Sequence, residues 1–475
     1  MESAAILNGM RWTDTEGREI HAHGGGFLYD NEYIYWFGEN RTGRRRVSCC
    51  RSKNLKEWEF RRDVLTLDSS VKPVYYRTNL ELEPVAADGT VSSQGAVIER
   101  PKVLYNEKTG KYVMWMHWEN GRDYHDARCA VATCDTVDGD YVYHGSFNPI
   151  GYMSRDCTLF CDDDGTAYFL SAARDNADLH MYRLSEDYMS IEEQVKTLWP
   201  GQYREAPAVM KRNGMYYLLT SACTGWLPNQ GAYAYSESLT GRWSPLLPLG
   251  DGTTFDTQPT FVLPIYGKDE TIYLYIGDRW DPSDYHQSSY VFLPLVFSGK
   301  TEMSLSWADA IDYDPALGAV RTQTRENLGI RLKNCAADRF LAVRVDEKNG
   351  VSGVHVQDLS YTSQDQRWDT EDVRDGLFRL RHTATGLYLA AAGGLEEHGQ
   401  VSLATFNDSR DSAYLWRKVE LEQGLCRLRN HLTETCLTLT ADDGESLHLS
   451  ADGGEWNPRK GRDPQAFLIS KIFGN

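Results

Sequence analysis

The sequence contains no run of 18 or more apolar residues, so it offers no candidate membrane-spanning helix. It has no CxxC pair and no Cys/His spacing of the zinc-binding kind. Its ten cysteines divide into seven before residue 330 and three after it, and both counts are odd, so neither part can pair its thiols completely. They are expected as small buried hydrophobes, which favours a reducing compartment. The opening MESAAILNGM lacks the charged n-region and long apolar h-region of a secretory signal. The expectation is therefore a protein that stays inside the cell or one whose signal has been removed. Positive charge is short: 50 Lys and Arg stand against 68 Asp and Glu, a net −18. Nucleic-acid binders concentrate positive charge on one face, whereas the densest basic run here is Arg44-Arg45-Arg46 in a loop-like stretch. No nucleic-acid or membrane partner, cofactor or metal is expected. Asp162-Asp163-Asp164-Gly165 lacks the alternating ligand spacing and bounding Glu of a calcium loop.

Tyr, Trp and Gly are abundant, at 28, 13 and 40 residues in a chain of 475. That mix favours strands and flat stacking platforms over helical bundles, and helical periodicity is hard to find. The first 320 or so residues carry a loose repeat of five aromatic-rich runs: Tyr33 to Phe37, Tyr112 to Met116, Ala167 to Leu170, Met215 to Leu219 and Thr271 to Tyr275. Each follows a turn (Asp30-Asn31, Thr109-Gly110, Asp164-Gly165, Asn213-Gly214, Lys268-Asp269), and a further short apolar run lies upstream of each turn. Five such units predict a five-bladed β-propeller over residues 1–322.

Composition changes near Arg321 to Asn327, and three shorter repeats follow. They open with Ile330 to Asn334, Phe378 to His382 and Cys426 to Asn430, and close on Trp368, Trp416 and Phe467. This pattern resembles the ricin-type lectin β-trefoil, with its Gln-x-Trp triplet intact at Gln366-Arg367-Trp368 and degenerate twice. The resemblance places a β-trefoil over residues 327–475, either a sugar-binding module or a structural cap. The Asp that holds sugar in such families is replaced at the matching positions Ala342, Ala390 and Thr438.

In a propeller the innermost strand of each blade begins on the face where ligands bind. The residues just before the upstream runs are His21 to Gly26, Glu99-Arg100-Pro101, Ser154-Arg155-Asp156, Arg204-Glu205-Ala206-Pro207 and Asp256 to Pro259. Equivalent positions in successive blades converge on one axis, so Glu99, Asp156, Glu205 and Gln258 are expected in a single pocket. Three carboxylates and an amide suit glycosidic cleavage. One neutral acid protonates the leaving oxygen while a second group assists water from the opposite face. Neighbouring carboxylates and burial raise the acid's pKa, and Arg100 and Arg155 can keep selected partners ionised. Structural ion pairs between blades would use the same residue types.

The segments His21 to Gly26, Trp36 to Glu39, Glu99 to Lys102, Met114 to His117, Ser154 to Asp156, Glu205 to Pro207, Cys223 to Asn229 and Gly277 to Trp280 together resemble glycoside hydrolase family 43, and within it the exo-β-1,3-galactanase branch. The resemblance implies an inverting exo-hydrolase releasing galactose from the non-reducing end of β-1,3-galactan, the arabinogalactan backbone. It implies Glu205 as general acid, with Asp156 tuning its pKa. Most of the family uses a first-blade Asp as base. His23 to Gly26 has no carboxylate, a gap the galactanase branch shares, with a Gln where Gln258 stands. Gln258 would then position the water or relay its proton, with Glu99 as rival base. By the same resemblance Glu39, Arg100, Tyr124, Asp175, Asn176, Thr224 and Asp278 should bind the terminal galactose, and Trp226 and Trp280 should stack on it. The alternatives are an α-L-arabinofuranosidase or β-xylosidase of the same family, and a non-catalytic galactan-binding protein.

Overall fold

The structure is a computed structural model that describes residues 5–472 apart from 73–81, 83–88, 91–93, 269, 325–328, 347–349, 362, 393–398, 408–410, 422–424, 442 and 455–462. Asp269 of the fifth expected turn and residues 325–327 of the expected domain junction therefore lie outside the described residues.

The chain is all-β apart from one α-helical turn, Asp411–Tyr414, and two 3-10 turns among the described residues. Five four-stranded antiparallel sheets follow one another along the chain, each paired in chain order. Their first strands are His23–Asp30, Val97–Asn106, Cys157–Cys161, Arg204–Arg212 and Gln258–Tyr266. These first strands pack against one another around the axis, and Gln258–Tyr266 returns to His23–Asp30. The local cause is visible in the fourth sheet, where Asn213 and Gly214 both adopt positive φ (49° and 78°) and join Arg212 to Met215. Such paired left-handed residues match the right-handed twist of a hairpin.

The propeller arrangement holds six sheets, which corrects the five units counted from the sequence. The sixth consists of three strands, Ile6–Leu7, Ala310–Asp314 and Ala319–Gln323. It joins the start of the region to its end, with Ile6 opposite Ile311. Strands drawn from two distant segments, one only two residues long, carry no turn-plus-aromatic unit that a repeat search could count.

The remaining twelve strands, from Ile330–Asn334 to Phe467–Lys471, form one C-terminal sheet region. Its last strand pairs with its first, Asn334 opposite Phe467. Trp368, Trp416 and Phe467 are fully buried in its core. Trp368 Nε1 donates to Leu341 O at 3.1 Å and Trp416 Nε1 to Leu389 O at 3.0 Å, each reaching 27 residues back in its own repeat. None of the ten cysteines, all of them among the described residues, is joined in a disulfide.

Candidate active site

Four of the five first strands are irregular where they begin: the pairing register shifts between His23 and Gly26, Glu99 and Lys102, Glu205 and Ala208, and Pro259 and Phe261. A bulge of this kind re-aims side chains and ends regular pairing. Glu99 and Glu205 each precede a residue of positive φ (Arg100, 53°; Ala206, 52°) and then a proline. The same local device thus turns both carboxylates off the sheet.

They meet at a cavity of about 260 Å³. Glu99, Asp156, Glu205 and Gln258 line it, with Arg41, Arg100 and Arg155 between them. Glu39, His117, Tyr124, Asn176, Trp226 and Trp280 complete most of its wall.

Two subsites of different electrostatic character result. In the first, Gln258 Nε2 donates to Glu205 Oε1 at 3.1 Å and to Ser221 Oγ at 2.9 Å. Its Oε1 accepts from Trp280 Nε1 at 2.8 Å and from Arg100 Nη2. Asn176 Nδ2 donates to the other Glu205 oxygen at 3.1 Å. Arg100 also pairs with Asp156 at 3.0 Å. Burial, then the negative charge of Asp156, pushes the Glu205 carboxyl up to about 8, against a favourable Arg100 charge. Glu205 is therefore a neutral acid at pH 7.

In the second, Arg41 Nη2 bridges Glu39 (3.2 Å) and Glu99, while Tyr124 Oη donates to Glu99 at 2.5 Å. His117 lies between Glu99 (2.8 Å) and the fully buried Glu119 (3.0 Å). Burial lowers the His117 pKa, but its bonds to Glu119 and Glu99 outweigh that and raise it to about 9, so the ring is an imidazolium at neutral pH. Burial likewise works against the Glu99 charge, and Arg41 with His117 overcomes it, holding this carboxyl well below the usual range. One atom each of Glu99, His117 and Asp156 lies within 4.8 Å of the others, a spacing open to a metal ion. A protonated imidazole and carboxylates already held by Arg41 and Arg100 do not suit one.

Trp280 stacks on Tyr285 with centroids 5.8 Å apart, and Trp226 lies 5.7 Å from Trp280. Arg41 sits over both Trp226 (5.6 Å) and Tyr285 (4.6 Å). This aromatic wall borders both subsites.

Three residues expected to bind galactose are adjacent to this lining but not part of it. Asp278 is buried and accepts from His23 Nδ1 and from Gly24 N, both at 3.0 Å, which anchors the glycine-rich strand. Thr224 closes its own loop, donating to Leu227 O at 2.6 Å and accepting from Asn229 at 2.7 Å. Asp175 is exposed beside Met153. Conversely, the sequence reading gave no role to Arg41, His117, Ser221 or Tyr285. Arg41 lies two residues beyond Glu39, and His117 ends the Met114 to His117 segment; for Ser221 and Tyr285 no local signal exists. The first-blade gap also has a steric cause. A Cβ on Gly25 would fall 2.3 Å from Trp36 Nε1, and one on Gly26 2.8 Å from Pro101 O.

Residues 101–249 match glycosyl hydrolases family 43, and residues 364–450 match the ricin-type beta-trefoil lectin domain-like family. An exo-beta-1,3-galactanase from Clostridium thermocellum is 36% identical, with 98% of this chain and 99% of that one covered at a TM-score of 0.61. A second exo-beta-1,3-galactanase, from Phanerochaete chrysosporium and solved with galactose, is 27% identical, with 98% and 100% covered at a TM-score of 0.59. A beta-D-galactofuranosidase of Aspergillus niger is 32% identical over 96 residues. The matched stretch spans about a quarter of the length of such curated relatives, 27% in that case.

Proposed function

Because the chain belongs to glycosyl hydrolase family 43, we propose that it is an exo-acting glycosidase releasing galactose from the non-reducing end of β-1,3-galactan. The observation that carries this reading is Glu205, a buried carboxyl raised to about 8 and held beside Asp156 and Gln258. Glu205 is the general acid: its proton passes to the glycosidic oxygen as the bond to the anomeric carbon breaks. Asp156, paired with Arg100 at 3.0 Å, is the neighbour whose charge favours the proton on Glu205. Gln258 orients the acid beside the incoming water, whose proton passes to solvent as the new bond to the anomeric carbon forms, and Glu205 then regains a proton from solvent. Two donors that cannot accept, Arg100 and Trp280, occupy its Oε1, so the amide form is favoured over an imidic tautomer that would put a proton there. Glu99 is already engaged by Arg41, His117 and Tyr124, which makes it a poor base and leaves about one of its four acceptor sites for a sugar hydroxyl. Attack from the face opposite the leaving group makes the enzyme inverting.

Arg41, Glu39 and Asn176 offer charged or amide groups to the remaining hydroxyls, and Trp226 and Trp280 offer flat faces to the ring. A cavity of about 260 Å³ suits one terminal sugar better than an open groove suits a mid-chain segment. The backbone of arabinogalactan is the natural polymer of this linkage. The C-terminal twelve strands are read as a β-trefoil beginning near residue 327. Its positions 342, 390 and 438 are buried Ala, Ala and Thr, so sugar recognition rests with the propeller cavity.

Incubation with β-1,3-galactobiose beside aryl β-galactoside, α-L-arabinofuranoside and β-xyloside tests the reading. Turnover of the galactosides alone is expected. Turnover of the arabinoside or xyloside would move the protein to another family specificity, and galactan binding without turnover would make it a binding protein.

A further inference from the structure

The residues that deliver Gln258 to the cavity are held from the C-terminal region. Thr254, Phe255 and Asp256 are three consecutive non-glycine residues with positive φ (53°, 57° and 59°). Such a run is sparsely populated and persists only where its surroundings fix it. Part of the fixing is local: Phe255 N donates to Asp251 Oδ1 at 2.7 Å, and Thr257 Oγ1 donates to Thr254 O at 2.6 Å. The rest crosses from the C-terminal strands. Arg331 Nη1 pairs with Asp256 Oδ2 at 3.2 Å, with both side chains 3% exposed or less. The Tyr361 ring lies 5.1 Å from the Arg331 guanidinium and 5.6 Å from that of Arg279. Arg279 in turn donates to Phe255 O at 2.9 Å. A Cβ on Gly252 would sit 3.0 Å from Leu468 Cδ1, so the same loop is also abutted sterically.

We propose that Arg331 of the C-terminal region is a positioning residue for Gln258, acting through Asp256, so that the C-terminal region completes the active site of the propeller. A single residue, Thr257, separates Asp256 from Gln258, whose four hydrogen bonds hold the amide against Glu205. Releasing the buried carboxylate of Asp256 lets the left-handed run relax and the amide shift. Displacements near 1 Å cost about 10²-fold in rate where chemistry depends on orientation.

The inference rests on the reading of Gln258 above, and the test separates the two. Arg331→Met and Arg331→Lys are made in the full chain and assayed on β-1,3-galactobiose and on 2,4-dinitrophenyl β-galactoside, whose leaving group needs no acid. For Arg331→Met, kcat is expected to fall about tenfold or more on both substrates with KM unchanged, and Arg331→Lys to recover most of the loss. Hydrogen exchange of residues 251–258 should accelerate in Arg331→Met while near-ultraviolet circular dichroism stays native. Wild-type kcat, a loss confined to galactobiose, or a loss no larger than the unfolded fraction overturns the proposal. Unchanged exchange in 251–258 overturns it whether or not the wild type turns over, whereas an inactive wild type with accelerated exchange in the variant overturns only the catalytic reading.

Discussion

Gln258 Nε2 lies 3.1 Å from Glu205 Oε1 and donates to it, while the amide oxygen faces Arg100 and Trp280. Because neither of those partners can accept, the orientation of the amide is fixed by its surroundings. A neutral group at this place satisfies the acid without adding a charge beside Asp156. The arrangement explains how a carboxyl bonded to two amide donors nevertheless stays protonated at neutral pH.

The first expected outcome concerns pH. Glu205 ionises near 4.5 in an ordinary setting and at about 8 here, so kcat should hold at neutral pH and fall as pH rises past about 8. Glu205→Gln should lower kcat on galactobiose by about 10²–10⁴. The folded state binds the extra proton between those two values, so wild-type stability declines as pH rises through that window. The variant lacks this decline, and its thermal midpoint relative to wild type should rise between pH 5 and pH 9, as thermal melts at about those two values would report. A difference that does not change with pH contradicts the raised pKa.

Gln258→Glu places a third carboxylate against Glu205 and Asp156. The two Glu residues would share a proton, as close carboxyls do. Hydrolysis should persist at a reduced level, and the alkaline limb of the kcat profile should move to higher pH. A limb that stays at the wild-type position shows that residue 258 and Glu205 are not in contact during turnover.

Gly26→Asp, which would put a carboxylate into the glycine-rich first strand, should fail. The new Cβ meets Pro101 O at 2.8 Å and the Lys102 side chain at 2.6 Å. A loss of about 1–3 kcal/mol or more in urea unfolding is expected, together with lower activity. A stable variant of increased activity means the first strand can yield.

Asp278→Asn distinguishes anchoring from sugar binding. Its two bonds run to His23 and Gly24, so the substitution should cost about 1–3 kcal/mol of stability and leave KM for galactobiose close to wild type. A raised KM with unchanged stability would return Asp278 to the sugar.

Aromatic runs after short turns, two of them Asx-Gly, made the all-β character and the repeated sheets legible, because both signals are local. The placement of Glu99, Asp156, Glu205 and Gln258 around one cavity follows from that repetition, since equivalent positions of successive sheets face one axis. The sixth sheet was not legible, as Ile6–Leu7 pairs with a strand some 300 residues away. Nor were Arg41, which joins Glu39 to Glu99 across a loop, or the Arg331–Asp256 pair, which spans two regions of the chain. Asp278 is a motif position whose bonds to His23 and Gly24, far away in sequence, were equally invisible there. Long-range ion pairs leave no periodic trace.

A protonated Glu205, within this cluster, is proposed to drive single-displacement cleavage of a terminal β-1,3-linked galactose. Proton NMR of β-1,3-galactobiose during the first turnovers, before mutarotation, tests it most directly. α-Galactose is expected as the first new anomer. Initial β-galactose, or no cleavage by a folded enzyme, would contradict it.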